Sequence, residues 1–482
     1  MEKVYEFANR NRFHRSLFKV STFGLCVFYL FLGSCGPKLK KTDFETTIEQ
    51  HLDSAWNVTM PKILKNIFPP SFKTDTVIVT NGNRFVERLN DSIVILSKRG
   101  GGVVHIPEGV YKVKGPVLLD SNINLNLAEG VELIFSNNPD DYLPEVKARW
   151  EGTFAMNYSP LIYAMGKTNI AITGKGEING NCQDTWGQWK PKQNPDKKTI
   201  RQYGNDKVPL SERIFGDGHY LRPTGIEFIE CKNILLEDFT IHHTPFWTIH
   251  PVLSENITAR RLNIQMGVRN DDGIDPEHCK NVLIEKCTIN TWDDCIAIKA
   301  GRDQDGWDYP PSENIIIRDN DFTNVVGSGF CIGSEMSGGV RNVFVENNTL
   351  RGSEKHAFQF KSNPDRGGFI EQVYMRNMKV MAPVSYGFEF TTDYAGWRGN
   401  EHFVKYNDFY FQNIEMEAAT KISIKINGRE EENIHRVFME NITIKKSLAP
   451  MIANHVEDLV LKNVSINGKT ITKKDVTTEK QK

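Results

Sequence analysis

The sequence has few of the features that mark nucleic-acid-binding, zinc-binding or membrane-spanning proteins. It contains 59 Lys and Arg against 60 Asp and Glu, so no excess of positive charge predicts general affinity for nucleic acid. Its eight Cys form no CxxC pair and no Cys/His cluster, which argues against a zinc site. One apolar run stands out, near the N-terminus, and it is too short for a comfortable spanning helix.

The N-terminus has the pattern of a secretory signal. Five basic residues within residues 1–19 precede the apolar run, which ends in "LGSC" at residues 32–35. This ending resembles the lipobox of bacterial lipoproteins, and the resemblance implies cleavage after residues 1–34 and acylation of the Cys35 thiol. An ordinary signal peptide with an incidental Cys is the alternative. We therefore expect an extracytoplasmic lipoprotein, anchored at the periplasmic face or cell surface of a Gram-negative bacterium.

The middle of the chain repeats one short unit. Copies such as "CKNILLEDFTI", "SENITARRLNI" and "CKNVLIEKCTI" share an Asn, which falls at positions 233, 256, 281, 314 and 342. Apolar and polar residues alternate within each copy, as in strands, and helical spacing is largely absent after residue 75. No single copy can bury its apolar face, so stacking must supply the core. The pattern predicts an all-β, single-stranded parallel β-helix of about ten coils.

The predicted β-helix domain spans residues 76–470. Before it, residues 35–75 provide the anchor, a linker and a helix-capable stretch, "FETTIEQHLDSAWNVTMPKILKNIF", which we expect to cap the open end of the stack. After it, the charged residues 471–482 are expected to be disordered. Six Cys fall within the regular region and are expected to be buried thiols, although an extracytoplasmic location permits disulfides: Cys182, Cys231, Cys279, Cys287, Cys295 and Cys331.

Three long excursions interrupt the coils, at residues 137–160, 182–222 and 391–403. They contain aromatic residues, Tyr394 among them, and the second also contains five basic residues: Lys190, Lys192, Lys197, Lys198 and Arg201. Long loops on a regular scaffold often carry function. Aromatic and basic side chains together suit an acidic sugar polymer, although loop packing and solvated charge would explain them too.

Stacking predicts a line of polar residues on one face. Successive coils lie about 4.8 Å apart, so residues one coil apart in sequence become neighbours. Asp272 lies 22 residues before Asp294, and His250 lies another 22 before Asp272. The predicted line consists of His250, Asp272, Asp293, Asp294, Ser328 and Lys361. Three carboxylates with a cation above them indicate a cleft.

Four blocks in this order, "NDDGIDP", "TWDDCIAIKAG", "GSGFCIGSEMSGGVRNV" and "FKSNPDRGG", resemble glycoside hydrolase family 28, the polygalacturonases and related pectin hydrolases. The resemblance implies a right-handed helix and hydrolysis with inversion, without cofactor or metal. It assigns Asp293 as the general acid, and Asp272 and Asp294 as the groups that hold and deprotonate the attacking water. Adjacent strand residues point to opposite faces, so Asp293 and Asp294 can share the cleft only if the chain turns there. A turn pair that binds local backbone is the alternative.

Two departures from the family pattern concern substrate binding. The family's Gly-His-Gly turn is here Gly-Ser-Gly around Ser328, and its Arg-Ile-Lys is Gln-Phe-Lys at residues 359–361. Gln359 cannot form the bidentate ion pair of an arginine. His356 is a candidate to replace part of the lost charge, and a strand-edge histidine without such a role is the favoured alternative. The predicted substrate-binding residues are Lys361, Gln359, Ser328, His250, Arg366, Arg302 and Tyr394. For His250, a packed core histidine is the alternative.

These observations predict an inverting glycoside hydrolase that cleaves an α-linked, galacturonic-acid-containing pectic glycan. The departures favour rhamnogalacturonan, a decorated pectin or cleavage from a chain end over standard endo-polygalacturonase action. Two alternatives stay open: a calcium-dependent pectate-type lyase, and a glycan-binding β-helix lipoprotein without catalysis. We expect a monomer, with the lipid anchor as its contact to the membrane.

Overall fold

A computed structural model describes residues 42–478 of the chain. The signal segment, Cys35 and residues 479–482 lie outside the described residues. The helices are α1 (Asp43–Ser54), α2 (Met60–Asn66), α3 (Phe85–Lys98), α4 (Asn194–Asn205) and the short α5 (Gln304–Trp307). A π-helical turn, Ala55–Thr59, joins α1 to α2, and 3-10 turns lie at Pro139–Tyr142, Trp186–Trp189, Leu210–Glu212 and Lys473–Asp475. Within residues 42–478, no helix is both long and apolar enough to cross a membrane.

The strands stack into three parallel sheets, and each coil of the chain adds a rung to each. Sheet I contains Thr76–Ile78, Gly102–Ile106, Ile123–Leu127, Thr168–Thr173, Lys232–Glu237, Glu255–Arg260, Lys280–Glu285, Ser312–Arg318 and Val340–Glu346. Sheet II contains Gly109–Val113, Val131–Phe135, Glu177–Asn179, Thr240–His242, Asn263–Ile264, Thr288–Thr291, Asp321–Asn324 and Thr349–Gly352. Sheet III contains Val117–Leu118, Ile162–Met165, Ile226–Ile229, Ile249–Val252, Ile296–Ile298, Ser328–Gly333 and His356–Lys361.

Near the C-terminus the corners between sheets become continuous. Three long strands, Phe369–Thr391, Lys405–Asn427 and Ile434–Asn454, each run through all three sheets, and Val456–Ile466 adds a last rung to the first two. Lys469–Thr470 folds back antiparallel on that rung. Outside the stack, Val146–Trp150 and Thr153–Asn157 form a hairpin that pairs with Ile214–Phe215. The predicted fold is confirmed: the chain is a right-handed parallel β-helix.

The shared Asn of the repeat sets the register between coils. Asn233 and Asn256 adopt left-handed backbone conformations, with φ of 56° and 58°, which Asn tolerates better than most residues. The Asn233 amide donates to Asn169 at 2.8 Å, and the Asn256 amide donates to Asn233 at 2.7 Å. A slip of one residue would break this ladder and turn the apolar face outward.

The interior is filled by the inward-facing half of each alternating strand. Ile315 and Ile317 point into the central core, while Ile316 between them belongs to a separate cluster outside sheet I. The six Cys of the regular region are buried and free, as the sequence analysis predicted. They pack as small apolar side chains.

The N-terminal helical segment was predicted correctly, but its predicted position at the open end is wrong. Helices α1 and α2 lie along the outside of sheet I, where Trp56 packs against Phe344 and Tyr374. The reason is that sheet I is apolar on its outer face as well, with Leu283, Ile316, Phe344, Tyr374, Tyr410 and Phe438 pointing outward. These side chains need a cover, and the amphipathic segment provides it.

The first coil is covered instead by α3, which lies inside the region predicted to be all strand. Phe85, Leu89, Ile93 and Leu96 are buried at helical spacing and join the central core. The helix contacts the strands of the first coils and so shields the end of the stack.

The last coil is closed by residues that we expected to be disordered. Ile471 is 6% exposed and joins the core, and Thr472 and Asp475 form a reciprocal capping box. Thr477 pairs with Ile452 as an extra bridge on sheet III. The prediction of disorder is therefore wrong for residues 471–478, because one apolar residue among many charges is enough to dock this segment.

Candidate active site

A polar cleft of about 590 Å³ lies beside sheet III. Its lining residues are Glu151, Lys197, Arg201, Trp247, Asn270, Asp272, Asp293, Asp294, Lys299, Arg302, Ser334, Glu335, Lys361, Arg366, Tyr394 and Ala395. The three aspartates predicted to be catalytic are among them, and so are four of the seven predicted substrate-binding residues. The stacking argument therefore brought together side chains that are up to 89 residues apart in sequence.

The chain turns where the paired aspartates required it to turn. The carboxylate of Asp271 accepts hydrogen bonds from the backbone N–H groups of Trp292, at 2.9 Å, and Asp293, at 3.0 Å. This contact bends the chain just before the strand Ile296–Ile298. Both Asp293 and Asp294 can therefore face the cleft, although neighbours in a straight strand could not. Asp271 was not identified from the sequence as the residue that fixes this turn.

Gly327 is required by the same turn. A Cβ at this position would lie 2.3 Å from the backbone C of Asp293 and from the N of Asp294. The close approach lets the backbone N–H of Ser328 donate to Asp294 Oδ1 at 2.7 Å. Glycine is therefore needed here for space, and Ser328 takes part through its backbone.

Asp294 is held in the ionised state. Its Oδ2 accepts a hydrogen bond from Lys361 Nζ at 2.8 Å, and both side chains are buried. Burial raises the pKa of Asp294, but the charges of Lys361 and Lys299 outweigh it and lower the pKa to about 2. Asp294 is thus a carboxylate at neutral pH, as a base must be.

Asp293 has the opposite electrostatic setting. Burial, and after it the charge of Asp294, raise the pKa of Asp293. Its Oδ2 accepts from the amide of Asn270 at 3.2 Å, and its Oδ1 accepts from the N–H of Asp294. Two adjacent carboxyl groups are therefore driven apart in pKa, which is the electrostatic pattern of an acid next to a base.

Asp272 belongs to a buried group around Lys299. The Lys299 ammonium lies 3.7 Å from Asp272, 3.8 Å from Asp275 and 3.5 Å from Glu335. Burial, followed by the charges of Asp275 and Asp293, raises the pKa of Asp272 well above its usual range. The ring of Trp247 packs under the same ammonium, 4.7 Å from its centroid. Asp272 can thus orient a water while Asp294 accepts the proton.

Arg302, Arg366 and Tyr394 line the cleft as predicted. Arg366 donates to Asp303 at 2.7 Å, and Arg302 donates to the backbone oxygen of Glu151 at 3.1 Å. The ring of Tyr394 lies under Lys361, 5.4 Å from its ammonium.

Three predicted substrate-binding residues lie behind the cleft wall. His250 is 0% exposed and its Nε2 bonds Glu277 at 2.9 Å, so it packs in a buried ion-pair network rather than contacting substrate. Ser328 is fully buried as well, and its hydroxyl donates to Gln359 at 3.3 Å. Gln359 in turn donates to Glu389 at 2.7 Å. None of the three lines the cleft. His250 follows the core residue Ile249 and Gln359 lies between two core residues, so both point outward from the core and are covered there by other side chains. Ser328 alternates with the core residues of its own strand and points inward.

His356 does not replace the arginine that the family pattern has at position 359. Its Nε2 lies 2.8 Å from Glu389, and burial lowers the pKa of His356. The ring is buried beside Gln359 and stacks on Tyr386. This position therefore supplies no free positive charge to the cleft.

Several cleft residues were not identified individually from the sequence. Lys299 is the clearest, because a lysine inside the apolar run "CIAIKAG" must be paired when the strand is buried. Glu151 and Glu335 gave no such signal, since each lies in a loop. Asn270 opens the block "NDDGIDP" and Trp247 lies outside the quoted blocks; the positions of both became visible only in three dimensions. Within residues 42–478, no cluster of His, Cys, Asp and Glu is arranged to hold a metal ion.

The balance of charge suits an acidic ligand. Six cations and five carboxylates line the cleft, and Asp293 carries a raised pKa. Even with all five carboxylates ionised, the wall has six positive against five negative side chains. A cleft of this kind attracts an anionic sugar more than a neutral one.

The comparison with known proteins agrees with this geometry. The family model "Glycosyl hydrolases family 28" matches residues 147–466. The chain belongs to that family. Membership of this family favours a glycoside hydrolase over a lyase, and over a glycan-binding protein without catalysis.

Family 28 relatives differ in how they act. A solved exopolygalacturonase from Thermotoga maritima is 34% identical and superposes with a TM-score of 0.79, covering 86% of this chain and 96% of that one. An exo-poly-alpha-D-galacturonosidase from Dickeya chrysanthemi is 24% identical, covering 77% of this chain and 69% of its own. An endo-polygalacturonase from Pectobacterium parmentieri is 28% identical, covering 73% and 83%. Both modes of cleavage occur among these relatives, so the mode must be argued from the cleft.

Proposed function

We propose that the protein hydrolyses α-linked galacturonan from a chain end, with inversion at the anomeric carbon. The observation that supports cleavage from an end is the fixed wall around the cleft. All three long excursions contribute to that wall: Glu151 lies in the first, Arg201 in the second and Tyr394 in the third. A groove for internal cleavage must stay open on both sides of the scissile bond.

One turn, residues 302–305, attaches these excursions to the β-helix. Arg302 binds the backbone of Glu151 in the first excursion. Asp305 accepts from Arg213 of the second at 2.6 Å, and Asp303 accepts from Arg398 of the third. Because these contacts are buried or partly buried ion pairs and hydrogen bonds, the wall is a built feature rather than a mobile loop.

The mechanism follows from the separated pKa values. Asp293, whose pKa is raised, donates its proton to the glycosidic oxygen as the bond to the anomeric carbon breaks. Asp294, held ionised by Lys361, takes a proton from the water that attacks the opposite face, and Asp272 orients that water. One water is consumed: one of its protons passes to Asp294 and the other stays on the new anomeric hydroxyl, while the leaving oxygen takes the proton of Asp293. Asp294 then loses its proton and Asp293 regains one through solvent before the next turnover. Direct attack by water inverts the configuration.

Defined oligogalacturonates labelled at the reducing end would test the mode of cleavage. We expect one short product of constant length from the first time point, while the labelled chains shorten step by step. Unlabelled rhamnogalacturonan and methyl-esterified pectin fragments serve as alternative substrates. A mixture of internal fragments at early times would contradict cleavage from an end, and cleavage of rhamnogalacturonan alone would contradict the choice of substrate.

We also propose that Cys35 is acylated and anchors the protein outside the cytoplasm. The support is the signal-like N-terminus that ends in "LGSC". Mass spectrometry of the membrane-extracted protein should find an N-terminal lipidated Cys35, and the variant Cys35→Ala should be released from membranes. An unmodified Cys35 in the membrane fraction would refute the anchor. Size-exclusion chromatography of the released form should give the mass of a monomer.

A further inference from the structure

We infer that Lys197 and Arg201 form the site that binds the carboxylate of the uronate in the cleft, in place of the arginine that the family pattern has at position 359. This inference rests on the proposed function. It assigns the acid-specific contact to α4 of the second excursion rather than to sheet III.

The six cations of the cleft differ in how far their side chains are exposed. Of the six cations in the cleft, four are nearly enclosed by their own partners, with side chains 2–8% exposed: Lys299, Arg302, Lys361 and Arg366. Lys197 and Arg201 are 27% and 29% exposed. These two therefore present accessible donors to the cleft, and the other four are occupied in holding acids.

Helix α4 brings Lys197 and Arg201 to the same carboxylate. Lys197 and Arg201 are four residues apart, so they project from one face of the helix. Both approach the same carboxylate: Lys197 lies 3.3 Å and Arg201 2.6 Å from Glu151. Among the described residues, Arg201 Nε is buried without a hydrogen-bond partner. The protein therefore does not use every donor of this guanidinium.

Positive side chains outnumber negative ones around Glu151. Lys197, Arg201 and Arg302 all lie within ion-pair distance of Glu151, and Arg302 also pairs with Glu335. Lys197 and Arg201 therefore share one carboxylate. Glu151 stays ionised, because the cations outweigh its burial and lower its pKa to about 2. A ligand carboxylate would complete the pairing, and Arg201 is suited to bind it with its planar fork.

Gln359 occupies the position at which the family pattern has an arginine. Gln359 already donates to Glu389, and a hydrogen bond with His356 lowers the pKa of Glu389 against the effect of burial. The place of the missing arginine is therefore filled by a neutral amide with a carboxylate behind it. Such a site disfavours a second anion.

The test measures selectivity for the acid over its neutral analogue. Isothermal titration with D-galacturonate and D-galactose would be combined with kcat/KM on trigalacturonate, for the wild-type chain and for Lys197→Met, Arg201→Met and the double variant. We expect the double variant to lose about 100-fold in affinity for galacturonate, from the strength of two charge-assisted hydrogen bonds. Binding of galactose should change less than about threefold, because the hydroxyl contacts remain.

The matched control is Lys207→Met, which removes an exposed ion pair with Asp308 just after α4 and should leave both affinities unchanged. Arg201→Lys keeps the charge and should restore part of the selectivity, and thermal melting checks that each variant folds. Unchanged selectivity in a folded double variant would overturn the inference, and so would an equal loss for both sugars. A wild-type chain that cleaves no galacturonate oligomer would instead refute the proposed function, so the two failures are distinct.

Discussion

The contact between Lys361 and Asp294 makes the sharpest prediction about the reaction. The two side chains are 8% and 3% exposed, with 2.8 Å between Nζ and Oδ2. Replacing Lys361 with Met removes the largest single influence that lowers the pKa of Asp294. Burial, which raises that pKa, remains.

The size of the effect follows from the starting values. The pKa of Asp294 is about 2 against an ordinary 3.8, and Lys299 still contributes after the substitution. We therefore expect the pKa of Asp294 to rise by about one to two units, equivalent to about 1.4–2.7 kcal/mol. The base must be ionised, so activity is lost as pH falls through this pKa. The acidic side of the pH profile of kcat/KM should accordingly move to higher pH in Lys361→Met.

The assay is the release of reducing sugar from trigalacturonate between pH 2.5 and 8, with folding checked at each pH by circular dichroism. Lys361→Arg keeps the charge and should keep the wild-type acidic side. At neutral pH, Lys361→Met should also lose about 3–5 kcal/mol of unfolding free energy, because a buried carboxylate is left without its partner. The double variant with Asp294→Asn should recover part of that loss. An unshifted acidic side in a folded Lys361→Met would refute the role of Lys361 in holding Asp294 ionised.

Three further predictions concern the acid, the turn and the helical cover. Asp293→Asn should lower kcat by about 10²–10⁴-fold, the range for a general acid, with oligosaccharide affinity retained in titration; an unchanged kcat would remove the assignment. Gly327→Ala should destabilise the fold by about 1–3 kcal/mol through overcrowding and lower kcat, because its Cβ would contact the Asp293–Asp294 backbone; normal kinetics and melting would contradict that reasoning. Trp56→Ala should reduce the unfolding free energy by about 3–5 kcal/mol without changing kcat at 25 °C, since the Trp56 cluster lies outside sheet I. An unchanged melting temperature would show that the helical segment from α1 to α2 adds nothing to the stability of the fold.

The fold was predictable because the repeat encodes it in each coil. The shared Asn recurs at the left-handed corner, and the alternating residues fix which side is inside. The sequence did not reveal α3, whose helical spacing Phe85, Leu89, Ile93 and Leu96 is short and lies next to β-branched strands. Nor did it reveal that Phe344 and Tyr374 point outward, since an apolar residue can face either core.

The catalytic aspartates were predictable and most of their surroundings were not. Stacking placed Asp272 beside Asp293 and Asp294 because it precedes that adjacent pair by one coil. It did not show that neighbouring side chains would cover His250, or that Ser328 would point inward with the core residues of its strand. Residues from excursions, such as Glu151, have no fixed register with the coils, so only the folded chain shows that they reach the cleft.

The most direct test of the account is the configuration of the first sugar released. Proton NMR during hydrolysis of trigalacturonate, begun within seconds of mixing and before mutarotation, resolves the anomeric proton of the new reducing end. Water activated by Asp294 on the face opposite Asp293 predicts the β-anomer from an α-linked substrate. Initial accumulation of the α-anomer would mean a covalent intermediate and would contradict the roles assigned to all three aspartates.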